Sequence, residues 1–343
     1  MAPEATRSPR RVIGERNTMK PSAKHAITGT LAVSATCLSL VTYADSVEPA
    51  SKRHNETAVC SRTAFDLYAA CTADIHEEYR IADANCNNIV DGSERAECRL
   101  ERNEALSEGK RECIEQRRAR TDLCSALGED AYDPQIDPAN FVDPLLIGDT
   151  VAPNSYFPLT PGLVRVYESG EETITVTVTD ETVEIAGVSC IVVRDIVQEG
   201  DEVIEDTMDW YAQDIEGNVW YFGELALNFE DGFVTDIDGS FRAGIDRAKP
   251  GILMFAAPQV GDIYRQEFAL GEAEDVAEVL STGADESAAA ASCNFACLQT
   301  RDFTPLEPGV EEYKFYAPGI GPIVEYHVDD PEDRVELISV ELP

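Results

Sequence analysis

The sequence predicts an α+β protein in which a disulfide-stapled antiparallel helical hairpin precedes a mainly antiparallel twisted β-sheet domain, curled toward a half barrel or a sandwich. Three features carry that prediction: six cysteines with mirror-symmetric spacing between residues 60 and 124, a proline-rich break after residue 130, and a period-two alternation of apolar and polar residues beyond residue 163.

Ahead of the hairpin, Met19-Lys20 opens a basic stretch with Lys24 and His25, an apolar run follows over residues 26–41, and Thr42 and Ala44 precede Asp45. That order is signal-peptide grammar, so residues 1–44 read as an export segment, with translation starting at Met19. Arg10-Arg11 lies too far from the apolar run for a twin-arginine signal, and Cys37 lacks the leucine that a lipoprotein site carries three places upstream. No later apolar stretch is long enough to span a bilayer, which predicts a periplasmic or extracellular chain with no transmembrane span after cleavage. In such an oxidising compartment cysteines pair.

Cys60, Cys71, Cys86, Cys98, Cys113 and Cys124 are separated by 11, 15, 12, 15 and 11 residues. The pairs Cys60 with Cys124, Cys71 with Cys113, and Cys86 with Cys98 are therefore symmetric about Gly92. Separations of 11 and 15 residues are close to whole numbers of helical turns, so the cysteines of each half share one helix face. At about 1.5 Å per residue they stand too far apart to bridge within a helix, and only an antiparallel partner helix supplies sulfurs at matching heights. Asn87-Asn88 ends the first helix, Asp91-Gly92 turns the chain, and Asp91 with Glu94 reads as a capping box. The expected helices cover about residues 57–89 and 93–127, within a hairpin region of residues 45–130. The cysteines lack the close paired spacing of a metal site. Both helices are otherwise polar, so the bridges stand in for a missing apolar core.

Residues 131–160 carry Pro134, Pro138, Pro144, Pro153 and Pro158 among several aspartates, and read as an extended linker. The β-domain covers residues 161–343. Ile174, Val176 and Val178 alternate with threonines, and further strands are expected at 163–167, 182–185, 188–197, 203–214, 219–226, 263–268, 311–316, 323–328 and 335–342. The alanine-rich residues 281–296 read as a mobile insert, with Cys293 and Cys297 closing a small ring. Cys190 is then either a buried free thiol or a partner for one of those two.

Both tryptophans of the chain lie in one expected hairpin, residues 209–224. Asp214 and Gly217 suit its turn, which places Asp214 opposite Asn218, Ala212 opposite Trp220, and Trp210 opposite Phe222. Trp210, Tyr211, Trp220, Tyr221 and Phe222 are the candidates for lining a ligand groove, set against the ordinary role of strand aromatics as core.

A formal net charge of -38 works against nucleic acid or an anionic membrane surface as a partner. Residues 131–343 hold nine Lys/Arg against 44 Asp/Glu. After cleavage only His54, His76 and His327 remain, without zinc-ligand or triad spacing, and there is no P-loop or dinucleotide fingerprint. No catalytic constellation stands out. Calcium is the one cofactor the carboxylates suit by ligand type, through Glu205, Asp206 and Asp209, through Asp236 and Asp238, or through Glu272, Glu274 and Asp275; the spacing is not that of an EF-hand.

The hairpin motif, together with residues 248–252, 271–275 and 312–319, resembles a family of secreted bacterial proteins of unknown function over about residues 155–325. Residues 156–162 resemble the opening of extracytoplasmic domains with LolA-like curved sheets, although Arg165 stands where an aromatic residue is frequent. The resemblance implies a fold and an exported location and brings no reaction; a lipophilic carrier follows only by fold analogy. The expected function is that of an exported non-catalytic cell-envelope or secreted protein, a binding module for an apolar ligand or an envelope protein partner. The alternatives are an interaction protein docking through the helical hairpin and, third, a carboxylate-based hydrolase.

Overall fold

A computed structural model describes residues 58–343, so the export segment expected at 1–44 and the start at Met19 lie outside the described residues. Two helices, α1 (Val59–Asn87) and α2 (Gly92–Leu127), form the hairpin. The Asp91 carboxylate caps α2 by accepting from the backbone N–H of Ser93 (2.8 Å) and Glu94 (3.0 Å). Disulfides join Cys60 to Cys124, Cys71 to Cys113 and Cys86 to Cys98, with Cα separations of 5.6, 5.8 and 5.6 Å, as the symmetric spacing requires. Besides cysteines, α1 buries only Ala64, and α2 only Gly109, Arg120 and Leu123.

With so little apolar burial, the bridges carry the hairpin. Converting Cys86 and Cys98 together to serine opens the 12-residue loop and is expected to cost about 3 kcal/mol. Full reduction is expected to remove the helical part of the circular dichroism while the sheet signal persists. Retention of full helicity after reduction would show that packing alone holds the arm.

Fifteen strands follow: β1 (Val164–Ser169), β2 (Glu172–Ile185), β3 (Val188–Glu199), β4 (Glu202–Gln213), β5 (Val219–Glu230), β6 (Phe233–Asp236), β7 (Phe241–Arg242), β8 (Lys249–Met254), β9 (Ile263–Arg265), β10 (Glu267–Phe268), β11 (Val276–Ala284), β12 (Cys297–Phe303), β13 (Glu311–Ala317), β14 (Gly321–His327) and β15 (Arg334–Glu341). All pair antiparallel in one sheet of order β10-β8-β5-β4-β3-β2-β1-β15-β14-β13-β12-β11-β9, with β6 and β7 added on β5. The two ends of that order, β9 and β10, are separated in sequence by Gln266 alone, so the sheet curls past the expected half barrel into a nearly closed barrel. At the seam Gly251 passes so near Gln266 that a Cβ would lie 2.1 Å from its carbonyl oxygen.

Three expectations need correction. Trp210 faces Gly223 rather than Phe222, because a bulge intervenes after the Tyr211–Tyr221 pair. Gly223, at φ 130°, is the residue that lets β7 approach there, since a Cβ would meet the Phe241 carbonyl at 2.2 Å. Residues 131–160 have the expected lack of long elements, but they are packed: Ile147, Phe157 and Leu159 enter the main core, and Phe141 and Ile136 cover the tryptophan face. Asn154 ties them down, donating to the carbonyls of Gly217 (2.8 Å) and Phe255 (3.2 Å) and accepting from the N–H of Tyr156 and Phe157. Residues 281–296 are not a free insert either, since β11 runs to Ala284, and Ala288 and Ala291 pack with Phe315, Ile323 and Leu337.

Candidate functional site

Only the base of the hairpin meets the barrel through side-chain bonds; among the described residues no hydrogen bond or ion pair joins 68–113 to the barrel. Gln116 donates to the Leu306 carbonyl (2.9 Å), and Arg120 makes a two-pronged pair with Glu274, Nε to Oε2 at 2.9 Å and Nη2 to Oε1 at 2.7 Å. Arg120 is 6% exposed and Glu274 1%. Glu274 is held in place by a tight turn, where its Oε1 also accepts from the Gly271 N–H at 2.8 Å.

Beside this pair, hairpin and barrel enclose a groove of about 420 Å³. Leu67 of α1, Leu123 and Leu127 of α2, Ile252 of β8, Phe268 of β10 and the following Leu270 supply its apolar lining. Tyr132 donates from its hydroxyl to the Pro250 carbonyl (2.9 Å), and burial pushes its phenol up to about 12 despite the nearby Arg265. Lys249 bonds the Tyr132 carbonyl and the Asp133 carboxylate (2.8 Å). Arg265 has its guanidinium over the rings of Tyr132 (5.8 Å) and Phe268 (5.2 Å). Burial lowers its pKa, with Glu274 opposing. On the other flank of α2 a second groove, of about 530 Å³, runs between Ala119 and Ala126 on one side and Phe303 and Val310 on the other.

The barrel interior is divided. Leu163, Val178, Val193, Tyr211, Tyr221, Leu298 and Tyr316 belong to the main apolar cluster. Two residues along the same strands, the inward face turns charged: Arg165, Asp195, Asp209 and Lys314 follow from Leu163, Val193, Tyr211 and Tyr316, and Asp302 follows from Leu298 by way of Thr300. Lys314 Nζ lies 3.2 Å from Glu325, 3.5 Å from Glu312 and 3.8 Å from Asp302. Burial works against its charge, but those carboxylates outweigh burial and hold it well above the usual lysine range. Asp302 also accepts from Thr300 (2.5 Å) and Gln266 (3.3 Å).

On the opposite wall the Tyr221 hydroxyl lies 2.5 Å from Asp209 Oδ1 and 2.9 Å from Glu224 Oε2. A hydroxyl has one proton, so it donates to one carboxyl and accepts from the other, which must itself be protonated. Burial raises both acids, and their mutual repulsion raises Glu224 further. Asp195 is pushed up to about 8 by burial and by the charges of Asp209 and Glu205. Chemically, this is a proton-holding pair with one neutral acid beside one ionised acid.

The five aromatic candidates divide between two faces. Trp210, Trp220 and Phe222 pack with Ala212 under Phe141, whose ring meets Trp220 and Phe222 edge-on at 6.1 and 5.6 Å. Tyr211 and Tyr221 stack at 4.6 Å inside the barrel. None of the five lines either groove. Of the calcium candidates, Asp206 pairs with Arg194 (2.6 Å), Glu205 accepts from Thr207 (2.8 Å), and Asp236 accepts from Asn228 (2.7 Å). Asp209 is taken by Tyr221 and Glu274 by Arg120, while Asp275 is half-buried with its pKa raised, Asp238 donates its backbone N–H to Asp236 (3.2 Å), and burial and the charge of Asp238 raise Glu272. Among the described residues no group of three or more His, Cys, Asp or Glu is arranged to hold a metal ion.

Cys293 bonds Cys297, which leaves Cys190 as the free thiol among the described residues, fully buried and with its pKa pushed up to about 12 by burial. The sequence does not single out the groove residues Arg120, Tyr132 and Arg265, although Arg120 lies seven residues after Cys113 and four before Cys124, on the helix face that the cysteines mark as buried. Four disulfides fit an oxidising environment, and among the described residues no helix is long and apolar enough to cross a membrane. Compared with known family models, curated proteins and solved structures, the chain matches none.

Proposed function

We propose that this is an exported binding protein that accepts an apolar ligand in the groove between the base of the hairpin and the barrel. The observation that carries the reading is the groove itself: its volume of about 420 Å³ lies in the range of small-molecule sites, and leucine, isoleucine and phenylalanine side chains from both parts of the fold line it. The export pattern at residues 1–44 and the four disulfides support the location. Native mass spectrometry of protein made in an oxidising compartment is expected to find an apolar adduct, and Thr63→Trp, which fills the groove from α1, is expected to remove it. An adduct that survives this change would place the ligand elsewhere.

A second reading has its own observation. Among the described residues, 68–113 of the hairpin make no hydrogen bond or ion pair to the barrel, and this stretch exposes Leu100 (64%) and Ile81 (42%). An arm of this kind suits docking to another envelope protein. Cross-linking from the tip of the arm to a partner, lost when residues 81 and 100 are made polar, would favour it over ligand binding.

A further inference from the structure

We infer that the ligand of this groove is a long-chain amphiphile with a terminal oxyanion, held by Arg265. The inference rests on the groove being the ligand site and adds the chemistry of the head group. Residues 131–343 have nine Lys/Arg among 44 Asp/Glu, so a cation there has carboxylates to choose from. Five of the nine, Arg194, Lys249, Arg301, Lys314 and Arg334, pair with acids, and Arg165 and Arg242 donate to the carbonyls of Ile320 and Glu184. Arg265 does not: among the described residues its guanidinium makes ring contacts with Tyr132 and Phe268 and neither an ion pair nor a hydrogen bond. The acid whose charge acts on it, Glu274, already gives both oxygens to Arg120.

The surroundings point the same way. The groove is lined by Arg120, Lys249 and Arg265 against Asp130 and Glu274; Arg120 is paired with Glu274 and Lys249 with Asp133, so Arg265 is the lining cation that keeps its donors for a ligand. A guanidinium resting over two adjoining rings, whose centroids are 5.0 Å apart, is oriented in advance, and its fork of N–H donors matches a carboxylate or a phosphate. Leu67, Leu123, Leu127, Ile252 and Leu270 then receive the chain of the amphiphile.

The test is calorimetric titration of the full protein, freed of bound lipid, with palmitate, hexadecyl phosphate and hexadecanol. At least one oxyanion is expected to bind about 10-fold or more tightly than the alcohol, since a charge-assisted bond is at stake. Arg265→Gln is expected to erase that difference while leaving the alcohol unchanged, and Arg265→Lys to restore part of it. Which oxyanion binds more tightly distinguishes a fatty acid from a phosphate head group, and either supports the inference. Equal affinity for all three overturns it while leaving the groove as an apolar site. If none of the three binds, the groove reading fails and the inference with it. Should Arg265→Gln not fold, the comparison of ligands on the unmodified protein decides alone.

Discussion

Glu274→Ala is expected to destabilise the protein by about 3–5 kcal/mol, because it leaves the Arg120 guanidinium buried without its charge partner. It also strips the Gly271 N–H of its acceptor. The reverse change, Arg120→Ala, strands a carboxylate that is 1% exposed and is expected to cost a similar amount. Burying an ion pair is itself close to neutral, so the double change Arg120→Met with Glu274→Leu is expected to recover most of the loss. Denaturant unfolding measures all four proteins. Single changes costing under about 1 kcal/mol, the scale of an exposed pair, would mean that water reaches the pair. Since this contact fastens the hairpin to the barrel, the single variants are also expected to release a cleavable arm in limited proteolysis before the barrel opens.

The second large effect is on pH. Asp195 is pushed up to about 8, and burial also raises Asp209, Glu224, Glu267, Asp275, Asp302 and Glu325. These groups bind protons more tightly in the folded chain than in the unfolded one, where carboxylates titrate near 4. For Asp209, at about 6, and for Asp195 and Glu224, at about 8, that contribution is complete below about pH 4 and is lost as pH rises through about 6 to 8, and the other four act in the same direction. Each tenfold gain in proton affinity on folding corresponds to about 1.4 kcal/mol, so the sum is on the order of several kcal/mol. Asp91 and Glu129 have pKa values lowered by hydrogen bonds from Ser93 and Ser61 and oppose the trend only at the acid end. Maximal stability is thus expected in mildly acidic solution, with a melting temperature that falls steadily from pH 5 to pH 8. Glu224→Gln, which fixes the protonated shape, is expected to flatten that slope. A stability curve that rises over this range would show that the inner acids are ionised and well solvated in the folded protein.

The hairpin was legible in the sequence because covalent chemistry leaves few solutions: sulfurs must meet at matching heights, and the spacing admits one pairing. The turn from Asp214 to Gly217 was legible because its backbone geometry demands those residue types. Strand β12 was hidden for the opposite reason. Thr300 and Asp302 point into the barrel there, so the ordinary rule of polar residues outward is reversed. Strand β8 begins Lys249-Pro250-Gly251, which reads as a break; its ladder to β10 has only two residue pairs and accommodates the proline. Phe141, Phe157 and Leu159 follow no period, since a chain draped over a barrel buries whichever side chain meets a gap. The grooves were invisible because they lie between segments far apart in sequence, and Arg120 and Glu274 are partners only in three dimensions.

The seam at Gly251 has a consequence for how copies of the protein meet one another. An open sheet of this length would end in two rows of unpaired N–H and C=O groups, each a template on which a strand from another molecule could add. Here the terminal strands of the order are consecutive pieces of one segment, and the narrow passage between residues 251 and 266 lets that segment pair with both neighbours. Protection from strand addition at the seam therefore depends on a single missing side chain. There a glycine works alongside the mutual repulsion of so many carboxylates in denying a neighbouring molecule a strand edge.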